Sequence, residues 1–440
     1  MEPMTRRHFV KRSGKALAGV TAGLTVISRA QSAFAANDEI GVAVMGIHGR
    51  GQDHIKAFAG SFGCRVVALC DPDTSLFESR AKAAADKQGT SPKCYADIRE
   101  CLQDPDVDAV SIATCNHWHS LGTIWACQAG KDVYVEKPAS WCVFEGRKMV
   151  EAARKYNRIV QVGMQNRSSR DVRNAMARLW AGEIGEVYMS RGLCYKPRGS
   201  IGLKSDTESP QQLNFDLWLG PAAKRPFNPN LVHYNWHWFW DFGNGDIGNQ
   251  GVHEMDKARW GLHKGLPVKV HSSGGRYGYK DQGETPNTQV ATFEYEDGKM
   301  LVFEVRGLPT NDELGARVGN LYYGADGYMS SGDKWQPRIG YKGDGQPKQG
   351  LQLPEVGGNG SGDHFGNFIE AVRARDPKLL NADVEEGHLS AALCHLANIS
   401  FRLGRTLAFD PKTEKFVNDK EADALLTRKY RPPFVVPEKV

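Results

Sequence analysis

The sequence predicts an α/β protein, with an N-terminal parallel-sheet domain followed by a second α/β domain built on a mostly antiparallel sheet. Three observations predict it. Short β-branched runs alternate with helical stretches of about ten residues in the first part of the chain, the pattern of βαβ units. A glycine cluster, Gly46, Gly49 and Gly51, follows directly on the first of those runs. From Tyr188 the apolar period falls to two, in runs separated by tight turns, which indicates antiparallel pairing.

Residues 1–35 stand apart from both domains. A basic start (Arg6, Arg7, Lys11, Arg12, Lys15), an apolar run from Ala16 to Ile27 and the small-residue exit Ala33-Phe34-Ala35 form the grammar of a removable export signal. The apolar run is shorter than the ~20 residues needed to span a bilayer, so no membrane anchor is expected. Thr5-Arg6-Arg7-His8-Phe9-Val10-Lys11 resembles a twin-arginine signal, with a general secretory signal as the alternative. That resemblance implies a bacterial protein exported to the periplasm or beyond, cleaved near Ala35, and folded with any cofactor already loaded. The signal also accounts for the charge. The chain carries 56 basic and 51 acidic residues, and removing the six bases and one acid of residues 1–35 leaves 50 of each. No basic excess remains to suggest a nucleic-acid or membrane-surface partner. The nine cysteines, odd in number and without a CxxC pair, are expected to be free and mostly buried.

The elements then follow in order. Ile40 to Ile47 is a first strand, Asp53 to Phe62 a helix, and Arg65 to Cys70 a second strand ending at Asp71. A polar helix begins at Ser75, and a short segment near Tyr95 precedes a strand at Ala109 to Ala113. The helix Ser120 to Ala129, the strand Val133 to Val135, the helix Phe144 to Tyr156 and the strand Ile159 to Val162 complete the parallel part. In the second domain Val290 to Glu296 and Met300 to Val305 flank Asp297-Gly298, a hairpin signal. Ser272 to Gly275, Gly340 to Gly350 and Gly357 to Gly362 read as loops. Asp363 to Arg373 and Gly387 to Leu403 read as helices, the second stopped by Gly404. The domain boundaries expected are 1–35, 36–165 and 166–440, with the C-terminal segment packing back on the first domain.

Gly46-x-x-Gly49-x-Gly51 opens a helix directly after the first strand, where glycines let the backbone approach a pyrophosphate. The middle glycine of G-x-G-x-x-G is His48 here, and Gly49 stands next to it. Asp71 ends the second strand 25 residues after Gly46, the spacing of an acid on adenosine ribose hydroxyls. An acid there favours NAD over NADP, whose 2′-phosphate it would repel. His48, Gly49, Arg50 and Gly51 with Gly46 and Asp71 are therefore the first candidate cofactor-binding residues. A further oddity is Val133-Tyr134-Val135-Glu136-Lys137-Pro138-Ala139-Ser140, where an apolar strand delivers an acid and a lysine at its exit. Buried charges are costly unless paired, so these two residues should face a partner.

The Glu136-Lys137-Pro138 triplet, the fingerprint, and Thr114-Cys115-Asn116-His117-Trp118-His119 after the Ala109 strand together resemble the Gfo/Idh/MocA oxidoreductases, the relatives of glucose–fructose oxidoreductase and inositol dehydrogenase. The resemblance runs from about Glu39 to the C-terminus. It implies a Rossmann domain followed by an α/β domain with a large, mostly antiparallel sheet used for oligomerisation, hence a homodimer or homotetramer. It also implies that Glu136 sits by the nicotinamide-side ribose and Lys137 by the reacting carbon. Thr114, Asn116 and His119 would line the cofactor, with Cys115 replacing the usual proline, and Gln165 and Arg167 would contact nicotinamide or substrate. The family's acid-x-x-x-His motif falls on Asn249 and His253, so the acid is missing; Asp246 and Asp256 are the substitutes within reach in sequence.

Oxidising a secondary alcohol requires removal of its hydroxyl proton as the carbonyl forms. A histidine of ordinary pKa suits that, and an ammonium beside the same oxygen stabilises developing alkoxide. Lys137 and His253 are accordingly the candidate catalytic pair. Between them in sequence lies an aromatic cluster, and Tyr234, Trp236, His237, Trp238 and Asp241 are candidate sugar contacts, as are Tyr195, Arg167 and Asn249. Packing or a subunit contact is the other use for such rings. No H-E-x-x-H or cysteine pair accompanies the histidines, so no metal is expected. The reading that follows is an exported NAD(P)-dependent oxidoreductase on a sugar, sugar derivative or cyclitol, with a tightly held NAD. The alternatives are an NAD-dependent glycoside hydrolase working through transient C3 oxidation, and a non-catalytic sugar-binding member.

Overall fold

The computed structural model describes residues 39–358 and 362–440; the proposed signal lies outside the described residues. Six strands, β1 (Ile40–Met45), β2 (Cys64–Cys70), β3 (Lys93–Tyr95), β4 (Ala109–Ile112), β5 (Asp132–Val135) and β6 (Val160–Val162), form one parallel sheet. Its order is β3-β2-β1-β4-β5-β6. Every residue of β1, β4, β5 and β6 is buried, as expected of strands covered on both faces by helices. The strand order reverses between β1 and β4, and open α/β sheets take ligands at the carboxyl ends beside such a reversal.

The second domain holds nine strands: β7 (Val187–Cys194), β8 (Lys269–Gly275), β9 (Thr288–Glu294), β10 (Met300–Arg306), β11 (Val318–Gly324), β12 (Gly327–Ser330), β13 (Pro337–Ile339), β14 (Leu407–Asp410) and β15 (Lys415–Phe416). They run β13-β12-β11-β7-β10-β9-β8-β14-β15, antiparallel except where β10 meets β7. The β9–β10 hairpin turns at Gly298, whose φ of +81° is the left-handed region glycine tolerates. Alternate residues of β10 are buried, so one face of the sheet covers the core.

Two expectations are corrected. Ser272 to Gly275 is the end of β8, where a Cβ on Gly274 would lie 2.2 Å from the Thr288 carbonyl oxygen of β9. The glycine marks close pairing of strands, which composition alone cannot tell from a loop. The helix expected from Ser120 begins at Asn116, with no side-chain cap at Cys115 to announce it. Elsewhere the elements shift at their ends by a few residues at most.

The helix Val384–Leu403 closes the molecule. Gly404 ends it in the left-handed conformation, and Arg147 of the first domain makes a two-pronged bond to Glu385 at its start. Phe434 then packs edge-on to Trp118, so the C-terminal segment rests on the parallel-sheet domain. All nine cysteines are free, seven of them buried. Among the described residues no helix is long and apolar enough to cross a membrane.

Candidate active site

A cavity of about 600 Å³ opens at the carboxyl ends of β1, β2 and β4. Its floor is the fingerprint loop. Gly46 has φ +78°, and a Cβ there would lie 2.6 Å from the Thr114 nitrogen. A Cβ on Gly51 would lie 1.9 Å from the Gly46 carbonyl oxygen, so the helix Gly51–Phe58 can start only with glycine at this point. Gly51 shapes the loop without itself lining the cavity, whereas Gly46, His48, Gly49 and Arg50 line it.

Asp71 lies on the cavity wall and pins the loop. Its carboxylate accepts from the Ile47 and Asp73 amides, each at 2.9 Å. Burial raises its pKa to about 6, against the opposing effect of those two amides. Opposite, Thr114 and Asn116 line the cavity, and Thr114 Oγ1 and Asn116 Oδ1 are buried with no hydrogen-bond partner among the described residues. Crowded glycines, a helix start, an acid at the β2 exit and unpartnered polar atoms suit a dinucleotide. His119 also lines the cavity, but its ring nitrogens face the Pro138 and Thr114 carbonyls at 2.7 and 3.0 Å. It ties the Lys137–Pro138 turn to the β4 exit and has no ring nitrogen left for a ligand.

Glu136 is a hub. One carboxylate oxygen accepts from Arg50 Nε at 2.8 Å, His54 Nε2 at 3.1 Å and Gln165 Nε2 at 3.3 Å; the other accepts from the Lys137 amide at 3.2 Å. Burial alone would raise this carboxyl's pKa, but the bond and charge of His54, then Arg50 and Lys137, hold it well below the usual range. His54 was not among the candidates from sequence. It is buried, bonds Ser111 at 2.7 Å, and stands four residues after Arg50. That spacing places both on one helix face, a signal available in the sequence.

Lys137 meets the second domain directly. Its Nζ donates to the backbone carbonyl of Asn249 at 2.7 Å. At position 249 it is thus the main chain that Lys137 meets, a carbonyl that a residue of any type there would present. Desolvation lowers the Lys137 pKa, with Glu136 opposing and Arg50 adding to the fall. Neither suggested substitute acid serves the site: Asp246 is bonded to Arg198 and Asp256 to Arg167, and neither lines the cavity. Glu254, next to His253 in sequence, acts on Lys137 through its charge after Glu136, and it too stands outside the cavity lining.

His253 lines the cavity, and its Nδ1 is buried without a partner among the described residues. Its ordinary pKa is not retained: desolvation, then the Lys137 charge, lowers it to about 3. Protonation, which would remove the base, is therefore displaced to acid pH. At saturating cofactor the acid limb of kcat/KM for the substrate is expected below pH 5; a limb near 6.5 would remove His253 from this role.

Tyr234, Trp236, His237 and Asn249 join the cavity wall as expected. Four candidates do not. Arg167 lies in a buried ion network with Asp256 and Glu386. Tyr195 donates its hydroxyl to Glu304 at 2.9 Å beneath Arg306, on the sheet. Trp238 is buried under Arg198, and Asp241 is half-exposed beside Arg225 at 3.5 Å. Each is drawn off by an ionic or packing partner distant in sequence. Among the described residues no group of three or more His, Cys, Asp or Glu side chains could hold a metal.

These features define a dinucleotide-dependent two-domain protein with a cleft site. Residues 40–164 match the Gfo/Idh/MocA oxidoreductase family's NAD-binding Rossmann fold, and residues 194–338 and 352–436 its C-terminal alpha/beta domain. The chain belongs to that family, and its cofactor is NAD. It is 32% identical over 154 residues to the inositol 2-dehydrogenase of Salmonella typhimurium, 34% of this chain and 45% of that protein. A glycosyl hydrolase family 109 protein of Shewanella pealeana is 26% identical over 168 residues, 34% of this chain and 37% of that protein. The matches to these two relatives span less than half of each relative's length. The WlbA dehydrogenase of Bordetella pertussis, solved with NADH and UDP-GlcNAcA, shares the fold with a TM-score of 0.61 at 21% identity, covering 84% of this chain and 99% of that one.

Proposed function

We propose that the protein is an exported oxidoreductase acting on a secondary hydroxyl of a sugar, sugar derivative or cyclitol. The observation that carries this is the convergence of Lys137 Nζ and the unpartnered His253 ring on one cavity beside Glu136. Bound NAD supplies the hydride acceptor and donor. The chain's own groups do the rest. Glu136, held ionised by His54 and Arg50, orients the ribose side; Lys137 steadies the developing alkoxide; and neutral His253 takes the hydroxyl proton. Tyr234, Trp236 and His237 supply faces against which a sugar ring packs. Export through the twin-arginine pathway removes the protein from any pool of free nicotinamide, so the cofactor is retained and recycled on the enzyme. A homo-oligomer through the open face of the nine-stranded sheet, where Val290 is exposed, completes the proposal.

The likeness to family 109 glycosyl hydrolases favours one second reading. Oxidation at C3 acidifies the C2 proton; loss of that proton expels the aglycone, water adds, and C3 is reduced again, so the net change is hydrolysis. The test is to purify the protein, identify bound nucleotide by absorbance and mass, and supply free sugars, cyclitols and nitrophenyl glycosides. Oxidised sugar or cyclitol supports the first reading. Aglycone release with no net NADH replaces it by the second, and turnover of none of these by protein shown to hold NAD overturns both.

A further inference from the structure

The fingerprint loop carries a side chain where the motif has its middle glycine, and that side chain is engaged. The His48 ring lies on the His233 ring, centroids 4.1 Å apart and planes within 5°. His233 belongs to the second domain, in the loop that leads to Trp236 and His237. Its Nε2 is 3.0 Å from Asp73 Oδ2, in the turn after β2. That turn is itself stitched to the second domain: Thr74 donates to the Gln212 carbonyl and Asn214 to the Pro72 carbonyl, both at 2.9 Å.

These contacts join three segments, the fingerprint loop, the β2 exit and the second-domain loop, and both imidazoles line the cavity that Gly46, Gly49 and Asp71 also line. Desolvation keeps both rings below their ordinary pKa, and for His48 the proximity of His233 adds to it, so the stacked rings are neutral at neutral pH. Two neutral imidazoles face to face, with one edge held by a carboxylate, make a cohesive contact rather than a repulsive one.

We propose that the His48–His233 stack, anchored by Asp73, is a clasp that closes the dinucleotide cleft between the two domains and slows release of NAD(H). A glycine at 48 would leave the loop open to approach and to departure; the histidine trades some of that openness for a bridge across it. The clasp positions and retains the cofactor and takes no part in the chemistry. It rests on the dinucleotide occupying this cleft.

The experiment follows NADH leaving the full-length protein, by loss of its bound fluorescence after mixing with excess NAD. His48→Gly restores the motif's glycine in an exposed loop and is compatible with the fold. This variant and His233→Ala are each expected to release NADH roughly three- to tenfold faster than wild type, the range expected of one lost ring stack. His233→Phe, which keeps a ring but loses the Asp73 bond, is expected to fall between them and wild type. Wild-type release rates in both His48→Gly and His233→Ala would overturn the clasp and leave the nucleotide site standing. Failure of the wild-type protein to bind NADH at all would overturn both.

Discussion

Replacing Lys137 with alanine is expected to lower turnover by about a thousandfold while NADH binding and the fold persist. Lys137 reaches the cavity from the exit of β5 and ends on the second domain, at the Asn249 carbonyl. Its charge acts twice. It steadies negative charge on a substrate oxygen, and it contributes to the depressed pKa of His253. An imidazole lowered to about 3, first by burial and then by the Lys137 charge, is a weak base against an ordinary alcohol, but that same charge also acidifies a hydroxyl placed between the two. The variant therefore loses the acidified alcohol and regains a more basic His253, which does not compensate. Turnover, NADH titration and a thermal melt are the measurements. A variant that keeps a tenth of wild-type turnover would remove Lys137 from this role.

Arg167→Ala is expected to cost about 3–5 kcal/mol of stability, read as a lower urea midpoint with an unchanged slope. The guanidinium bonds Asp256 through Nε at 2.9 Å and Nη2 at 2.8 Å, bonds Glu386 at 2.9 Å, and lies 4.8 Å from the Trp260 ring centre. Without it Asp256, with 1% of its surface exposed, keeps among the described residues the Ser390 hydroxyl at 2.7 Å and a distant Arg259. A buried carboxylate left short of partners accounts for the size of the loss. Glu386 adds a pH signature. Burial opposes ionisation, yet Arg259 and Arg167 together lower its pKa to about 2. A depressed carboxylate stabilises the fold above its unfolded pKa and loses that stabilisation as pH falls toward 2. The variant should therefore show a flatter decline in stability on the acid side. A loss under 1 kcal/mol would show that the network contributes little.

The network also bears on the site. Arg167 follows Gln165, and Asp256 stands one turn after His253 on the helix Gly251–Leu262. The ion pair thus fastens the segment carrying a Glu136 partner to the helix carrying the candidate base. The family resemblance implied that Arg167, like Gln165, would contact nicotinamide or substrate. Its side chain is instead claimed by acids about 90 and 220 positions away, and no local pattern specifies such a pairing.

Much of the protein was legible in one dimension. The periodicities of 2 and 3.6, the glycines at Gly46 and Gly51, and the acid and lysine at the exit of β5 depend on local backbone geometry and on short-range burial. That is why the parallel domain, the hairpin at Gly298 and the cofactor class could be read directly. Tertiary structure alone decided which charges face the cavity. Asp246, Asp256 and Arg167 are charged residues of the expected types, but each is paired with a partner the chain brings from afar, and the Tyr195 hydroxyl is taken up by Glu304. The same long-range folding set the Asn249 carbonyl against Lys137 and the His233 ring against His48, because a backbone carbonyl and a ring face carry no signature in sequence.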